Sequence, residues 1–327
     1  MMAGAPQPDH RHEPVMAEEL LAQAALRDGD IVIDGTLGRG GHARRLLDQA
    51  DCSLIAIDRD PEAIDACRKT LADFGDRIRF AHGRFGELDQ HAIAAGFDQV
   101  DAVILDLGVS SPQLDDPKRG FSFRFDAPLD MRMETSGQTA ADWINAVPQS
   151  ELAETIRDFG EERKFRRVAK AIVDARAEAP ILTTGQLANI VRATVGRSAD
   201  GIDPATRTFQ AIRIKTNDEI GEIARGLAAA ERILRPGGRL VVISFHSGED
   251  RLVKQFLRQA SERPALSRHM PAPLADERAP TFTLPHRKAL NPKEEEARRN
   301  PRARSARLRS AIRTEAPART SGQGGTA

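Results

Sequence analysis

The chain has no tyrosine, one tryptophan and two cysteines among 327 residues, and aromatic residues make up only 4% of it. Two cysteines, Cys52 and Cys67, exclude a disulfide scaffold and any cysteine-rich metal site. The missing tyrosine removes the Tyr/Lys proton relay of one dehydrogenase class. A phosphate-binding P-loop is absent, which argues against phosphoryl transfer. No apolar run reaches membrane-spanning length, and the opening MMAGAPQPDHRHEP carries no apolar signal region; a cytoplasmic protein without a membrane partner is expected. The eight histidines show no ligand spacing, so no metal is expected. Net charge is zero, but its distribution is uneven: residues 297–313 hold seven arginines and no acid.

What is present is concentrated in the run IVIDGTLGRGGH, residues 31–42. Three β-branched apolar residues lead into Asp34, and a glycine-rich turn then opens a helix. Glycine permits the tight turn and lets a ligand approach the backbone, while the helix start offers unpaired N–H groups. Gly38-x-Gly40-x-x-Ala43 fits the Rossmann fingerprint. The next strand, LIAID at 54–58, ends in Asp58, 20 residues after Gly38, where such folds grip a ribose diol. Asp60-Pro61 reads as an N-cap with proline at N1 of a second helix. Together these predict a βαβα unit that binds an adenosine-type cofactor.

Residues 1–12 are expected to be disordered, and 15–26 to form an amphipathic helix. Strands are expected at 31–34, 54–58, 78–82, 101–107 and 239–245, with helices between them, hence a mostly parallel sheet covered on both faces. More than 130 residues separate the last two strands, far beyond one crossover helix. The expected α/β architecture is therefore a Rossmann-like domain (13–112 and 206–263) interrupted by a mostly helical substrate-recognition subdomain (113–205). Asp203-Pro204 is expected to restart helix in the main domain, and 217–234 to follow with Ile220, Ile223, Leu227 and Leu234 on one face. Residues 264–327 read as a basic, Pro/Arg-rich segment, mostly loosely ordered, with 281–284 a candidate edge strand.

The carboxyl ends of the expected strands carry Asp34-Gly35 with Gly38–His42, Asp58, 82–85, 106–113 and 244–250, all polar or glycine-rich clusters. Open α/β sheets bind ligands there. Hydride-transfer enzymes and methyltransferases share this pattern, but the LRPGG turn at 234–238 resembles the methyltransferase arrangement. Carbon-5 methylation of a pyrimidine needs a cysteine beside the cofactor, and neither cysteine lies at the fourth or fifth strand end. Methylation of a base amine asks only for acceptors that reorient the lone pair and take the proton. Asp106, Ser110, Ser111 and Gln113 follow the fourth strand, which makes Asp106, Ser110 and Ser111 the catalytic candidates. The Pro-Pro-aromatic signature of DNA amino-methyltransferases is missing. Phe121, Phe123 or Trp143 would have to stack a flipped base; the alternative is that they anchor a loop. An NAD-dependent oxidoreductase and a non-catalytic RNA-binding assembly factor are the competing readings.

The segments IDGTLGRGGH, AIDRDP, ILDLGVSSPQLDDPKRGFSF, PLDMRM, RTFQAIRI, ISFHSGEDR and NPRARSARLR together closely resemble the bacterial 16S ribosomal RNA cytosine-N4 methyltransferases. The resemblance implies a class I S-adenosylmethionine-dependent fold, S-adenosylmethionine as donor, and a decoding-centre (P-site region) cytidine of 16S rRNA in the small ribosomal subunit as acceptor. Carried over residue by residue, it implies cofactor contacts at Gly40, Gly41, His42, Asp58, Phe85, Asp106 and Gln113, with Phe85 packed near the adenine. This sequence departs from the pattern at Gly248, where leucine is usual, and at Thr216, where an apolar residue is common. The arginine run suits RNA phosphates, through Arg302, Arg304, Arg307 and Arg309. Its removal is expected to weaken RNA binding without changing cofactor affinity. A homodimer is left open.

Overall fold

A computed structural model describes residues 14–197, 201–262, 279–300 and 302–319. The expected disorder at 1–12 and part of the expected loose tail (264–278, 301 and 320–327) lie outside the described residues. The chain divides into two compact units, Met1–Gly108 with Glu222–Ala327, and Val109–Gly221.

The first unit opens with α1 (Ala17–Ala24), then β1 (Ile31–Asp34), α2 (Gly41–Gln49), β2 (Ser53–Asp58), α3 (Pro61–Thr70), β3 (Ile78–His82), α4 (Leu88–Ala94) and β4 (Val100–Asp106). β1 pairs in parallel with both β2 and β4, Ile33 lying opposite Ile55 and Val103. Each strand sends alternate residues to opposite faces. Val32, Leu54, Ile104 and Ile243 join Leu20, Leu46 and Leu47 in one core layer. Ile33, Ile55, Leu105 and Val242 join Leu88, Leu227 and Leu257 in the other. The Asp60 cap forms as expected, its carboxylate accepting the Glu62 N–H at 3.1 Å ahead of Pro61.

The second unit contains α5 (Ser111–Asp115), α6 (Ala140–Ala146), α7 (Gln149–Gly160), α8 (Phe165–Glu178), α9 (Thr184–Val195) and α10 (Ala205–Asn217). One apolar core holds it together, with Leu152, Ile156, Val168, Ile172, Leu187 and Val191 at its centre. The expected limits of the insert need correction. α10 belongs to the insert and not to the main domain, since Ala205, Phe209 and Ile212 enter the second unit's core against α7 and α9. Asp203 does cap it, accepting the Ala205 N–H at 2.9 Å. A cap fixes where a helix starts; the apolar face decides what it joins.

The chain then forms α11 (Glu219–Ile233), β5 (Leu234–Ser244), α12 (Ser247–Ser261), β6 (Phe282–Thr283), α13 (Glu294–Arg299) and β7 (Arg307–Arg313). The sheet order is β3-β2-β1-β4-β5-β7-β6. β5 begins earlier than expected, because the Arg-Pro-Gly-Gly turn is taken into the strand at a register shift against β4. Arg235 anchors that turn on Asp101. The edge strand at 281–284 appears as β6. The arginine run is the larger correction: it is not a trailing tail but supplies β7, antiparallel to both β5 and β6. Leu308, Ser310, Ala311 and even Arg313 are buried there. Arg313 donates to the carbonyls of Glu231 at 2.9 Å and Thr281 at 3.1 Å.

Candidate cofactor site

Strand order reverses between β1 and β4, and in open α/β sheets the crevice beyond those carboxyl ends holds the ligand. Asp34 ends β1 and Asp106 ends β4. The turn between β1 and α2 is fixed from below. Gly35 N–H donates to the Ile104 carbonyl at 2.9 Å and Leu37 N–H to that of Ile57 at 3.0 Å. A Cβ on Gly35 would lie 2.6 Å from Leu105 Cδ2, so only glycine lets the turn settle onto the sheet. Gly40 has φ 74°, in the left-handed region that favours glycine, and stands as N-cap of α2. Pro14 lies over Gly41, where a Cβ would come within 3.2 Å of the proline ring.

Asp58 is tied into this turn. Its Oδ2 accepts the Gly38 N–H at 2.7 Å and its Oδ1 the Asp60 N–H at 2.8 Å. Each carboxylate oxygen keeps a second lone pair, which leaves acceptors for a diol. Burial raises the Asp58 carboxyl above its ordinary range, against those two N–H groups. Asp34 is 1% exposed. Its burial, joined by the like charges of Asp106 and Asp58, pushes its carboxyl up to about 6 despite the pull of His42 and the Thr36 N–H. His42, also buried, stands with Nε2 at 3.4 Å from Asp106 Oδ2. Burial works to lower its pKa, but the hydrogen bond and charge of Asp106, with Asp34 and Glu296 behind, outweigh that and leave it raised. Thr36 Oγ1 completes the set by accepting the Asp106 N–H at 2.7 Å.

Asp34 Oδ2, His42 Nδ1 and Asp106 Oδ1 are buried without a hydrogen-bond partner, and His42 Nε2 has only its 3.4 Å approach to Asp106. Buried polar atoms ordinarily find partners. Orphans gathered beyond one switch point suit a polar ligand, and with Asp58 they fit a nucleoside that carries an amino-acid arm. Phe85, half-buried, supplies an aromatic wall just after β3.

The structure thus gathers Gly40, Gly41, His42, Asp58, Phe85 and Asp106 in the first unit. Gln113 and the catalytic candidates Ser110 and Ser111 open the second. There Ser110 caps α5 and donates its N–H to Gln113 Oε1 at 3.0 Å. Sequence reasoning places Asp34 at a ligand-facing strand end without giving it a contact, and it leaves Thr36 out of the site. Of the proposed stacking aromatics, Phe121 and Trp143 are buried, and Phe123 packs edge-on against Phe209 at 4.8 Å. Trp143 and Phe123 pack in the second unit's core, and Phe125 is the phenylalanine left exposed among the three in that loop. The arginines also divide: Arg302 and Arg304 are exposed, Arg307 is half-buried in β7, and Arg309 is held by Asp250.

A doubly wound sheet of this order with its seventh strand reversed, and with a glycine turn and paired acids at its switch point, defines a Rossmann-like class I methyltransferase fold. The chain belongs to the MraW methylase family, whose model matches residues 9–314. Among its relatives, the ribosomal RNA small subunit methyltransferase H of Paramagnetospirillum magneticum is 54% identical over 316 residues, covering 96% of this chain and 98% of that protein. The protein of the same name from Rhodospirillum centenum is 55% identical over 311 residues, covering 95% and 94%. That from Methylobacterium sp. (strain 4-46) is 53% identical over 322 residues, covering 97% and 94%. Membership in a methylase family sets aside the oxidoreductase reading. Among the described residues, no helix is long and apolar enough to cross a membrane.

Proposed function

We propose that this protein transfers the methyl group of S-adenosylmethionine to N4 of a cytidine in the decoding centre of 16S rRNA, in the cytoplasm. Identity above half along nearly the whole chain to relatives named for methylating small-subunit rRNA carries the substrate. The orphaned acceptors beyond β1 and β4 support the cofactor site. When bound, the sulfonium supplies an activated methyl group. Asp58 would take the ribose hydroxyls, Gly40–His42 the methionine end, and Phe85 the adenine.

The chain's own chemistry falls to Asp106 and the residues after it. An exocyclic amine is a poor nucleophile while its lone pair is delocalised into the ring. A carboxylate oxygen that accepts one amine N–H turns the lone pair out of the ring plane and can take the proton as the bond to carbon forms. Asp106 Oδ1 has that capacity free, and Ser110 and Ser111 supply further polar groups four and five residues on. Exposed Arg302 and Arg304, with Arg298 and Arg299 on α13, offer guanidinium groups to rRNA phosphates.

The test is methyl transfer from labelled S-adenosylmethionine to small subunits lacking the mark, followed by mapping of the modified nucleotide. N4-methylcytidine at one decoding-centre position is expected. Label on another atom or nucleotide would overturn the assignment, and RNA binding without incorporation would favour the assembly-factor reading.

A further inference from the structure

We propose that Glu222 and Gly226, one turn apart on α11, are positioning residues that seat Phe85 at the cofactor site. The inference rests on the reading of Phe85 as a cofactor contact. Phe85 begins a 3₁₀ turn, Phe85–Glu87, whose backbone pairs with no strand. A side chain on so short a turn is held only by what packs against it. α11 does this from more than 130 residues away in sequence.

Two contacts make the seat. Glu222 is 1% exposed, and its Oε1 accepts the Gly86 N–H at 2.5 Å. Its Oε2 accepts from Arg225 Nη2 at 2.8 Å, which neutralises the carboxylate from the exposed side of the helix. The residue after Phe85 is glycine for a steric reason: a Cβ on Gly86 would stand 2.8 Å from Glu222 Oε1. Four residues along the same helix face, a Cβ on Gly226 would lie 2.5 Å from Phe85 Cδ2 and 2.7 Å from Cε2. Glycine is the poorest helix former after proline, so its presence in the middle of a fifteen-residue helix needs a cause. The Phe85 ring occupies the space a side chain would take. On the opposite side, a Cβ on Gly35 would come within 3.1 Å of Phe85 Cβ, so the phenylalanine is set between the β1 turn and α11. Glu222 fixes the backbone and Gly226 the ring.

The experiment measures S-adenosylhomocysteine affinity by calorimetry, with methyl-transfer kinetics, on the full chain. Gly226→Ala is expected to weaken binding about tenfold and raise KM for S-adenosylmethionine while kcat is retained. Its unfolding temperature should fall only slightly, because alanine's better helix propensity offsets part of the cost of the clash. Adding Phe85→Leu, which removes the obstructing ring atoms, should return Gly226→Ala to the affinity of Phe85→Leu alone. Glu222→Gln, which keeps an acceptor for the Gly86 N–H, should bind like the parent, and Glu222→Ala should not. If Phe85→Ala weakens binding but Gly226→Ala does not, the seat is wrong. Additive losses in the double variant would also overturn it. If Phe85→Ala itself leaves affinity unchanged, the reading of Phe85 as a cofactor contact fails instead.

Discussion

Arg309 of β7 grips Asp250 of α12 with two parallel bonds, Nε to Oδ1 at 2.7 Å and Nη2 to Oδ2 at 3.1 Å. An arginine that the sequence offers to RNA is therefore part of the scaffold. The pair is partly buried, at 12% and 25% side-chain exposure. Arg309→Ala should lower unfolding free energy by roughly 2 kcal/mol in urea titrations, without altering the salt dependence of RNA binding. Unchanged stability would show the pair to be incidental.

Arg302 and Arg304 should behave in the opposite way. Replacing both by alanine should weaken rRNA binding far more than it lowers the unfolding temperature. It should also reduce the slope of log K against log salt by about one for each phosphate no longer neutralised. An unchanged slope would remove them from the RNA surface. Deletion of 297–313, the obvious experiment from sequence, is the wrong one, because it takes β7 out of the sheet.

Asp58→Ala should weaken S-adenosylhomocysteine binding by roughly 1.5–3 kcal/mol, the worth of a charge-assisted pair of hydrogen bonds. It should also destabilise the unliganded protein, since the Gly38 and Asp60 N–H groups lose their acceptor. Calorimetry with unaltered affinity would reject the ribose role.

Asp34 predicts a pH dependence. Its folded-state carboxyl is pushed up to about 6 from an ordinary 3.8, with desolvation as the largest cause. The folded protein therefore holds this proton more tightly than the unfolded chain. The associated stability is complete below about pH 4 and is lost as pH rises through about 6, on the order of 3 kcal/mol in all. Raised His42 acts in the same direction, losing stability as pH climbs past its own folded-state value. Asp34→Asn should therefore flatten the fall in urea midpoint between pH 4 and 7. An identical slope in parent and variant would contradict the assignment.

Thr216 carries a buried hydroxyl with no hydrogen-bond partner at a position where an apolar residue would suit the helix. Thr216→Val keeps the shape and removes the unmet polar group, so a gain of about 1 kcal/mol is expected. A loss of stability on thermal unfolding would show that the hydroxyl is satisfied after all.

Where the sequence is legible, the causes are local. β1, its glycine turn, β2 ending in Asp58, and the Asp60-Pro61 cap each depend on residues within one or two turns, and each forms as read. β7 escapes a sequence reading because RLRSAIR alternates weakly and its charge outweighs its apolar content; β5, nearly seventy residues upstream, makes it a strand. α10 reads as part of the wrong unit because its cap is legible while its partners are not.

The nucleotide-binding half of the sheet, the acids at its strand ends and the presence of a helical insert follow from local sequence alone, because backbone preference, glycine freedom and apolar period act over short distances. Which arginines the scaffold takes up, which unit owns α10 and what holds Phe85 were settled by long-range packing. Those outcomes turn on which distant surfaces exclude water from one another, and a carboxylate or a missing Cβ acquires its meaning only from the group brought against it.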